Sequence, residues 1–299
     1  MLLACIGIGS NAIRLLTATW EGGRLHAHRR ERRGTRLFAG LVDGALTEKS
    51  IRSSVDAVKE LADIARSDGA QEIFIFATSA VRDAANGHVF TAMAEEASGA
   101  QVEIIDGEEE AVLSYIGASE GGSAGVIDIG GGSTEFTLGE GEHILGAVSL
   151  QMGAVRMNGQ LPILRIEDYN ETVGRCMKMI RRDAAPLLAC PPRGAWFGVG
   201  GTMTTLGAMQ KGIPLFTPEK CEGMIMSFDE VAAWGARIAR MPLASRRQIV
   251  GLMPHRADII PSGIAILEAA MRCFSIPALR LSAHGNMDGY LKKKFAESP

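Results

Sequence analysis

A chain of 299 residues, 46% hydrophobic and 22% charged, is long enough for two domains of ordinary size and has the composition of a soluble globular protein. Its net charge of −3 excludes a global basic field for nucleic acid. No window approaches the roughly 18 uninterrupted apolar residues of a membrane span. Cys5, Cys176, Cys190, Cys221 and Cys273 have neither C-x-x-C nor metal-ligand spacing and read as reduced thiols. The apolar start lacks a charged leader and runs straight into a glycine turn, so it reads as a strand, and the cytoplasm is the expected address.

In chain order, residues 2–8, 12–20 and 24–30 read as three antiparallel strands joined by glycine turns. The third runs into Arg29, Arg30, Arg32, Arg33 and Arg36, either a solvated edge strand or a mouth for a polyanion. Thr47 caps a helix through Ser67 with Ile51, Val55, Val58, Ala62 and Ala65 on one face, and Gly69 closes it. A buried strand at 72–77 delivers the polar run Thr78 to Asn86, where α/β sheets place ligand sites. A helix at 87–98, a strand at 102–105 and a helix at 107–119 follow. The last opens with Glu108, Glu109 and Glu110. Acids in a first turn suit the helix dipole, but Glu110 precedes apolar residues and can point inward.

Residues 121–125, GGSAG, read as a flexible break between two lobes. Beyond it, 144–150 reads as a strand and 166–188 as a helix ended by Pro191 and Pro192. A strand at 195–199 then feeds a glycine turn and a helix, a ready anion site. The remainder is helical at 228–240, 245–252 and 258–274, with a short strand at 278–281 and a helix at 288–295. Lys292, Lys293 and Lys294 read as a solvated last turn, and the six histidines show no clustered spacing.

The organising stretch is VIDIGGGSTEF at 126–136. A buried strand ends in Asp128, Gly130, Gly131 and Gly132 form a turn whose N–H groups can converge on a phosphate, and Ser133, Thr134 and Glu135 open the returning strand. Asp128 and Glu135 are hard oxygen ligands of the kind that hold Mg²⁺ beside a phosphate. A second copy lies 121 positions earlier: Ile6, Ile8 and Gly9 match Ile127, Ile129 and Gly130, while Gly7 falls on Asp128. Each copy continues into a hydroxyl-containing turn, a returning strand, a glycine turn and a third strand. Two such units predict duplicated lobes facing each other across a cleft.

At these motifs the chain resembles the Ppx/GppA family of exopolyphosphatases and guanosine pentaphosphate phosphohydrolases. The landmarks run in order: IGIGSNAIRLL, RLFAGL, ATSAVRDAANG, DGEEEAVLSYIGA, VIDIGGGSTEF, FGVGGTMTTL, RADIIPSG and the weaker LSAHGNMDG. The resemblance implies an α/β fold of two actin-like domains, ribonuclease H-like and of the sugar-kinase superfold, at 1–120 and 121–299. The terminal helix is free to pack back on the first domain, and the chain looks like the short form without an extra helical domain. It also implies hydrolysis of a terminal phosphoanhydride of polyphosphate or of guanosine pentaphosphate, with Mg²⁺ as cofactor. By position, Glu110 matches the glutamate that orients or deprotonates the water, and Asp128 the acid that holds metal and water. Glu135 closes the second loop and completes the metal pair. Gly9, Ser10, Asn11, Gly130, Gly131, Gly132 and Ser133 match phosphate-cradling positions, Arg82 an arginine facing the phosphates, and Gly200, Gly201 and Thr202 the third loop. A homodimer is a further expectation from the family; neither a nucleic-acid nor a membrane partner is expected.

Three positions depart from the family pattern: Gly7 stands where it has Asp, Ala12 replaces a loop serine, and Met287 stands where it has an arginine. Losing ligands of the second shell alone lowers metal affinity or activity by roughly 10- to 100-fold. Three readings are therefore carried: an Mg²⁺-dependent phosphatase on polyphosphate or guanosine pentaphosphate, a catalytically weak or inactive member that binds guanosine polyphosphates or polyphosphate, and an ATP-dependent kinase or ATPase of the same superfold.

Overall fold

The computed structural model describes residues 1–192 and 194–297. Two compact units form, one of Met1–Gly117 with the residues from Asn286 onward, the other of Ala118–Gly285. In the first unit, β1 (Leu3–Ile8), β2 (Ile13–Glu21) and β3 (Arg24–Arg33) form an antiparallel meander. Next come α1 (Glu48–Ser67), β4 (Glu72–Ala77), α2 (Gly87–Ser98), β5 (Val102–Ile104) and α3 (Gly107–Ala118). The sheet order is β3-β2-β1-β4-β5, with β4 and β5 parallel to β1. In the second unit, β6 (Ser123–Ile129), β7 (Thr134–Glu140) and β8 (His143–Leu150) repeat the meander. They are followed by α4 (Ala154–Gln160), α5 (Ile166–Asp183), β9 (Ala195–Val199), α6 (Gly200–Lys211), β10 (Ile225–Ser227), α7 (Phe228–Ala239), α8 (Ile260–Cys273) and β11 (Ala278–Leu281). Its order is β8-β7-β6-β9-β11-β10, with β9 parallel to β6 and β11. Numbered within each unit, both sheets begin 3-2-1-4 and set one further parallel strand beside the fourth, β5 in the first unit and β11 in the second, where β10 then adds antiparallel at the edge. This is the order of a ribonuclease H-like, actin-like domain. The chain then closes with α9 (Asn286–Glu297), which belongs to the first unit.

Local chemistry explains most boundaries. Thr47 accepts from the Ser50 amide and starts α1, which buries Ile51, Val55, Val58, Leu61, Ala62 and Ala65 against the first sheet. Each fully buried aliphatic side chain of this kind is worth about 1.5–3 kcal/mol over its exposed form. In the second unit Tyr169 donates to Glu268 Oε2 at 2.6 Å inside the core, and Gly235 of α7 leaves room for its ring.

Four elements differ from the sequence reading. Ser123, Ala124 and Gly125 belong to β6 because the Trp196 ring packs on the bare Gly125 backbone. The helix expected to reach residue 188 stops at Asp183 and restarts as a single turn at Ala185–Ala189, since Pro186 cannot continue the first. The helix expected at 245–252 is only the turn Leu243–Arg246. There the buried Arg246 guanidinium donates to the carbonyls of Ile238, Met241 and Ile163, and Gly251 adopts φ 88° against the Ala208 backbone. Lys292 is not solvated: its ammonium donates to the Ile116 and Gly117 carbonyls at 2.8 and 3.1 Å, ending α3, and its burial lowers its pKa. The arginine-rich strand β3 is an edge strand whose cations are largely paired, Arg29 with Asp68, Arg30 with Asp288 and Arg33 with Glu60.

Candidate active site

Within the first unit, β1 and β2 are joined by the loop Gly9–Ala12, closed by Gly9 N–H donating to Ala12 C=O at 3.1 Å. The Ser10 and Asn11 carbonyls accept from the amides of Phe38 and Arg36, which ties the loop to the segment before the first helix. Ser10 Oγ lies 2.9 Å from Ser79 Oγ, so the polar run after β4 meets this loop. Asn11 is only 9% exposed, and neither its Oδ1 nor its Nδ2 has a hydrogen-bond partner among the described residues. A buried amide left without partners is costly unless a ligand or water completes it. Arg82 ends the one-turn helix Ser79–Arg82; its Nη1 donates to Ile105 C=O at 3.0 Å and lies 3.5 Å from Glu110 Oε2. Glu110 sits in the first turn of α3, where Asp106 Oδ1 accepts from the Glu109 amide. Glu110 turns inward and is 7% exposed, while Glu109 pairs with Lys293 at 3.4 Å.

Within the second unit, the loop between β6 and β7 repeats the first closure, Gly130 N–H donating to Ser133 C=O at 3.0 Å. Its carbonyls are held from behind. Ala154 N–H donates to Gly130, the Val155 and Arg156 amides to Gly131, and Arg156 Nε to Gly132 at 2.6 Å. Asp128 and Glu135 are direct cross-strand partners on one face of the sheet, 7% and 1% exposed. Such partners hold their Cβ atoms about 5 Å apart. Ser149, the next partner on β8, donates to Glu135 Oε1 at 2.7 Å. The third loop starts α6 at Gly200, where φ is 90°; a Cβ there would lie 2.6 Å from Asp128 Oδ1, so the carboxylate rests on this turn. A Cβ on Gly201 would lie 2.6 Å from both terminal nitrogens of Arg256, a residue 8% exposed.

The fold thus brings Gly9, Ser10 and Asn11 together at one hairpin, with Arg82 beside Glu110, in the first unit. It brings Asp128, Gly130, Gly131, Gly132, Ser133, Glu135, Gly200 and Gly201 together in the second. Thr202 is different. Its side chain is fully buried and packs on Gly263 of α8, so only its backbone can serve the third loop. Arg256, Ser149 and Arg14 were not singled out from sequence. Arg256 lay inside RADIIPSG, whereas Arg14 is the internal counterpart of Glu135 and pairs across the strands with Gly7. Where the second unit sets two acids, the first therefore sets a glycine and an arginine, and Arg14 donates to Asn286 Oδ1 at 3.2 Å. The missing side chain of Gly7 is replaced by neighbours: a Cβ there would meet Met287 Cγ and Sδ at 3.2 Å and Phe76 Cζ at 3.3 Å.

Among the described residues no group of three or more His, Cys, Asp or Glu is placed to hold a metal. The Asp128–Glu135 pair nevertheless suits a hard cation that keeps several waters and takes its remaining ligands from phosphate oxygens, as Mg²⁺ does. No helix among the described residues is long and apolar enough to cross a membrane.

Comparison with known proteins gives concordant results. The model of the Ppx/GppA phosphatase family matches residues 17–297. Exopolyphosphatase 2 of Mycobacterium tuberculosis is 32% identical over 309 residues, covering 96% of each chain. A guanosine-5'-triphosphate,3'-diphosphate pyrophosphatase of Photobacterium profundum is 28% identical over 96% of this chain and 58% of its own. Among solved structures, that of the Aquifex aeolicus PPX-GPPA enzyme has a TM-score of 0.83 at 26% identity, covering 98% of this chain and 99% of its own. That of an exopolyphosphatase-like protein has a TM-score of 0.91 at 26% identity, covering 99% of both.

Proposed function

The chain belongs to the Ppx/GppA phosphatase family, and on that premise we propose that it is a phosphoanhydride hydrolase releasing the terminal phosphate of inorganic polyphosphate or of guanosine pentaphosphate. The observation that carries this reading is the buried Asp128–Glu135 pair set directly beneath the Gly130–Ser133 loop. Phosphoryl transfer asks a protein chiefly for positioning and for charge stabilisation. In this reading the glycine loops offer backbone N–H groups to phosphate oxygens, while Asn11 and the Nη2 of Arg82, which has no hydrogen-bond partner among the described residues, add side-chain donors.

Glu110 accepts the proton of the attacking water as its oxygen bonds to the terminal phosphorus and the bridging P–O bond breaks. The electron pair leaves with the shortened phosphate chain. Asp128 and Glu135 would hold Mg²⁺, which when bound neutralises charge on the phosphate oxygens and leaving group. A cytoplasmic address and self-association into a dimer complete the reading.

Two substitutions bear on a second reading, binding without efficient turnover. Gly7 and Met287 pack on each other, so the first unit offers thioether and aromatic surface where its counterpart offers Asp128. A phosphate-release assay on both substrates, with and without Mg²⁺, separates the two. The hydrolase reading expects Mg²⁺-dependent release that collapses in Glu110→Gln and Asp128→Asn. Calorimetric binding without release supports the second reading, and full activity in both variants refutes the assigned roles.

A further inference from the structure

The geometry points to Arg82 as the positioning residue of Glu110, an inference that rests on the proposed function. The segment from Ile105 to Glu110, running from the end of β5 into the first turn of α3, must deliver Glu110 in a fixed orientation, and one guanidinium contacts its first and last residues. Nη1 donates to the carbonyl of Ile105, just after β5, and stands 3.5 Å from Glu110 Oε2 in the first turn of α3. Both side chains are largely withdrawn from water, 19% and 9% exposed, so their attraction is less screened than that of a surface pair. The anchoring side is itself fixed, because Arg82 N–H donates to Thr78 C=O in the turn that follows β4. Asp83, the other acid beside the guanidinium, is more distant, 3.8 Å from Nε. Nη1 is thus committed within the unit and orients the carboxylate, while Nη2 faces no protein acceptor among the described residues. Lysine keeps the charge but places it on one flexible ammonium, without the rigid plane that holds Nη1 between Ile105 and Glu110 while leaving Nη2 for phosphate.

A double-mutant cycle on phosphate release, with Arg82→Lys, Glu110→Gln and the pair, tests this. We expect Arg82→Lys to lower kcat by about 100-fold in the parent and by less than about tenfold in the Glu110→Gln background, where only its contact with phosphate remains to be lost. Guanidinium ion added to Arg82→Ala is expected to restore part of kcat only while Glu110 is present. Equal losses in both backgrounds would show that Arg82 acts on phosphate alone and overturn the proposal. A readout independent of turnover separates this failure from failure of the hydrolase reading. The Arg82 Nε–H resonance in a ¹⁵N spectrum of the free protein is expected to move on Glu110→Gln; an unmoved resonance overturns the positioning role whatever the substrate proves to be.

Discussion

Gly7→Asp restores to the first hairpin the side chain that its internal counterpart carries, and the structure predicts that by itself it does harm. Gly7 is fully enclosed at the end of β1, and its backbone needs no positive φ, so the penalty comes from packing and solvation. The new Cβ would lie 3.2 Å from Met287 Cγ and Sδ and 3.3 Å from Phe76 Cζ, tighter than ordinary van der Waals contact by a few tenths of an ångström. The carboxyl beyond it needs still more of the volume that Met287 fills. Overpacking a filled core costs about 1–3 kcal/mol. Withdrawing a carboxyl from water without its full set of partners adds about 1–3 kcal/mol. Arg14, the cross-strand neighbour, offsets part of the second term. The net loss expected is about 2–4 kcal/mol, a fall in Tm of roughly 4–10 °C. Met287→Ala alone costs about 2–5 kcal/mol through its cavity. Adding Gly7→Asp to that background costs less, because the obstructing thioether is gone. The coupling between the two sites should be about 1–2 kcal/mol. Calorimetric unfolding of the four proteins measures it. Additivity within about 0.5 kcal/mol would refute the contact argument. An increase in phosphate release from Gly7→Asp alone would refute the claim that Met287 blocks the position.

Other outcomes are open to measurement. Gly201→Ala pushes a methyl into the Arg256 guanidinium, a movable side-chain end, so phosphate release should fall by roughly 10- to 100-fold with less than about 1 kcal/mol lost in stability. Tyr169→Phe strips a buried hydrogen bond from Glu268 and should cost about 1–3 kcal/mol in urea unfolding. Thiol titration should find Cys190 reactive in the native protein, since it is exposed, and Cys176 and Cys5 reactive only on unfolding. Burial pushes the Cys176 thiol up to about 12 and the Cys5 thiol higher still. The Glu230 carboxylate, held below its usual range first by the Ser227 amide and then by its hydroxyl, caps α7. Its folded pKa lies below the unfolded one, so its contribution is complete above the unfolded value and is lost as pH falls through the folded value. Ser227→Ala should cost about 1 kcal/mol at neutral pH, by denaturation, with the difference shrinking in acid.

Local chemistry made much of this molecule readable. Strand–glycine–strand repeats 121 positions apart, the apolar face of α1 and the Thr47 cap are all written in neighbouring residues, as are the two acids around the central loop. Steric freedom, hydrophobic periodicity and hydrogen-bonding side chains act over a few residues, so a linear reading recovers them. The duplication even exposed the absence of an acid at Gly7. Pro186 is equally legible in the sequence, and its ring alone suffices to end the helix at Asp183.

Only the folded chain could decide what lies beside what. Gly7 and Met287 are 280 positions apart, yet α9 lays one on the other. Arg256 reaches Gly201, Lys292 ends α3, and Thr202 turns away from its loop into α8, all through contacts between elements distant in sequence. Arg82 likewise has a carbonyl and a carboxylate as neighbours only because β5 runs parallel to β4 and brings α3 to the end of the sheet. Residue type states what a side chain can do; long-range packing, set by the total balance of buried surface and satisfied polar groups, selects the partner on which it does it.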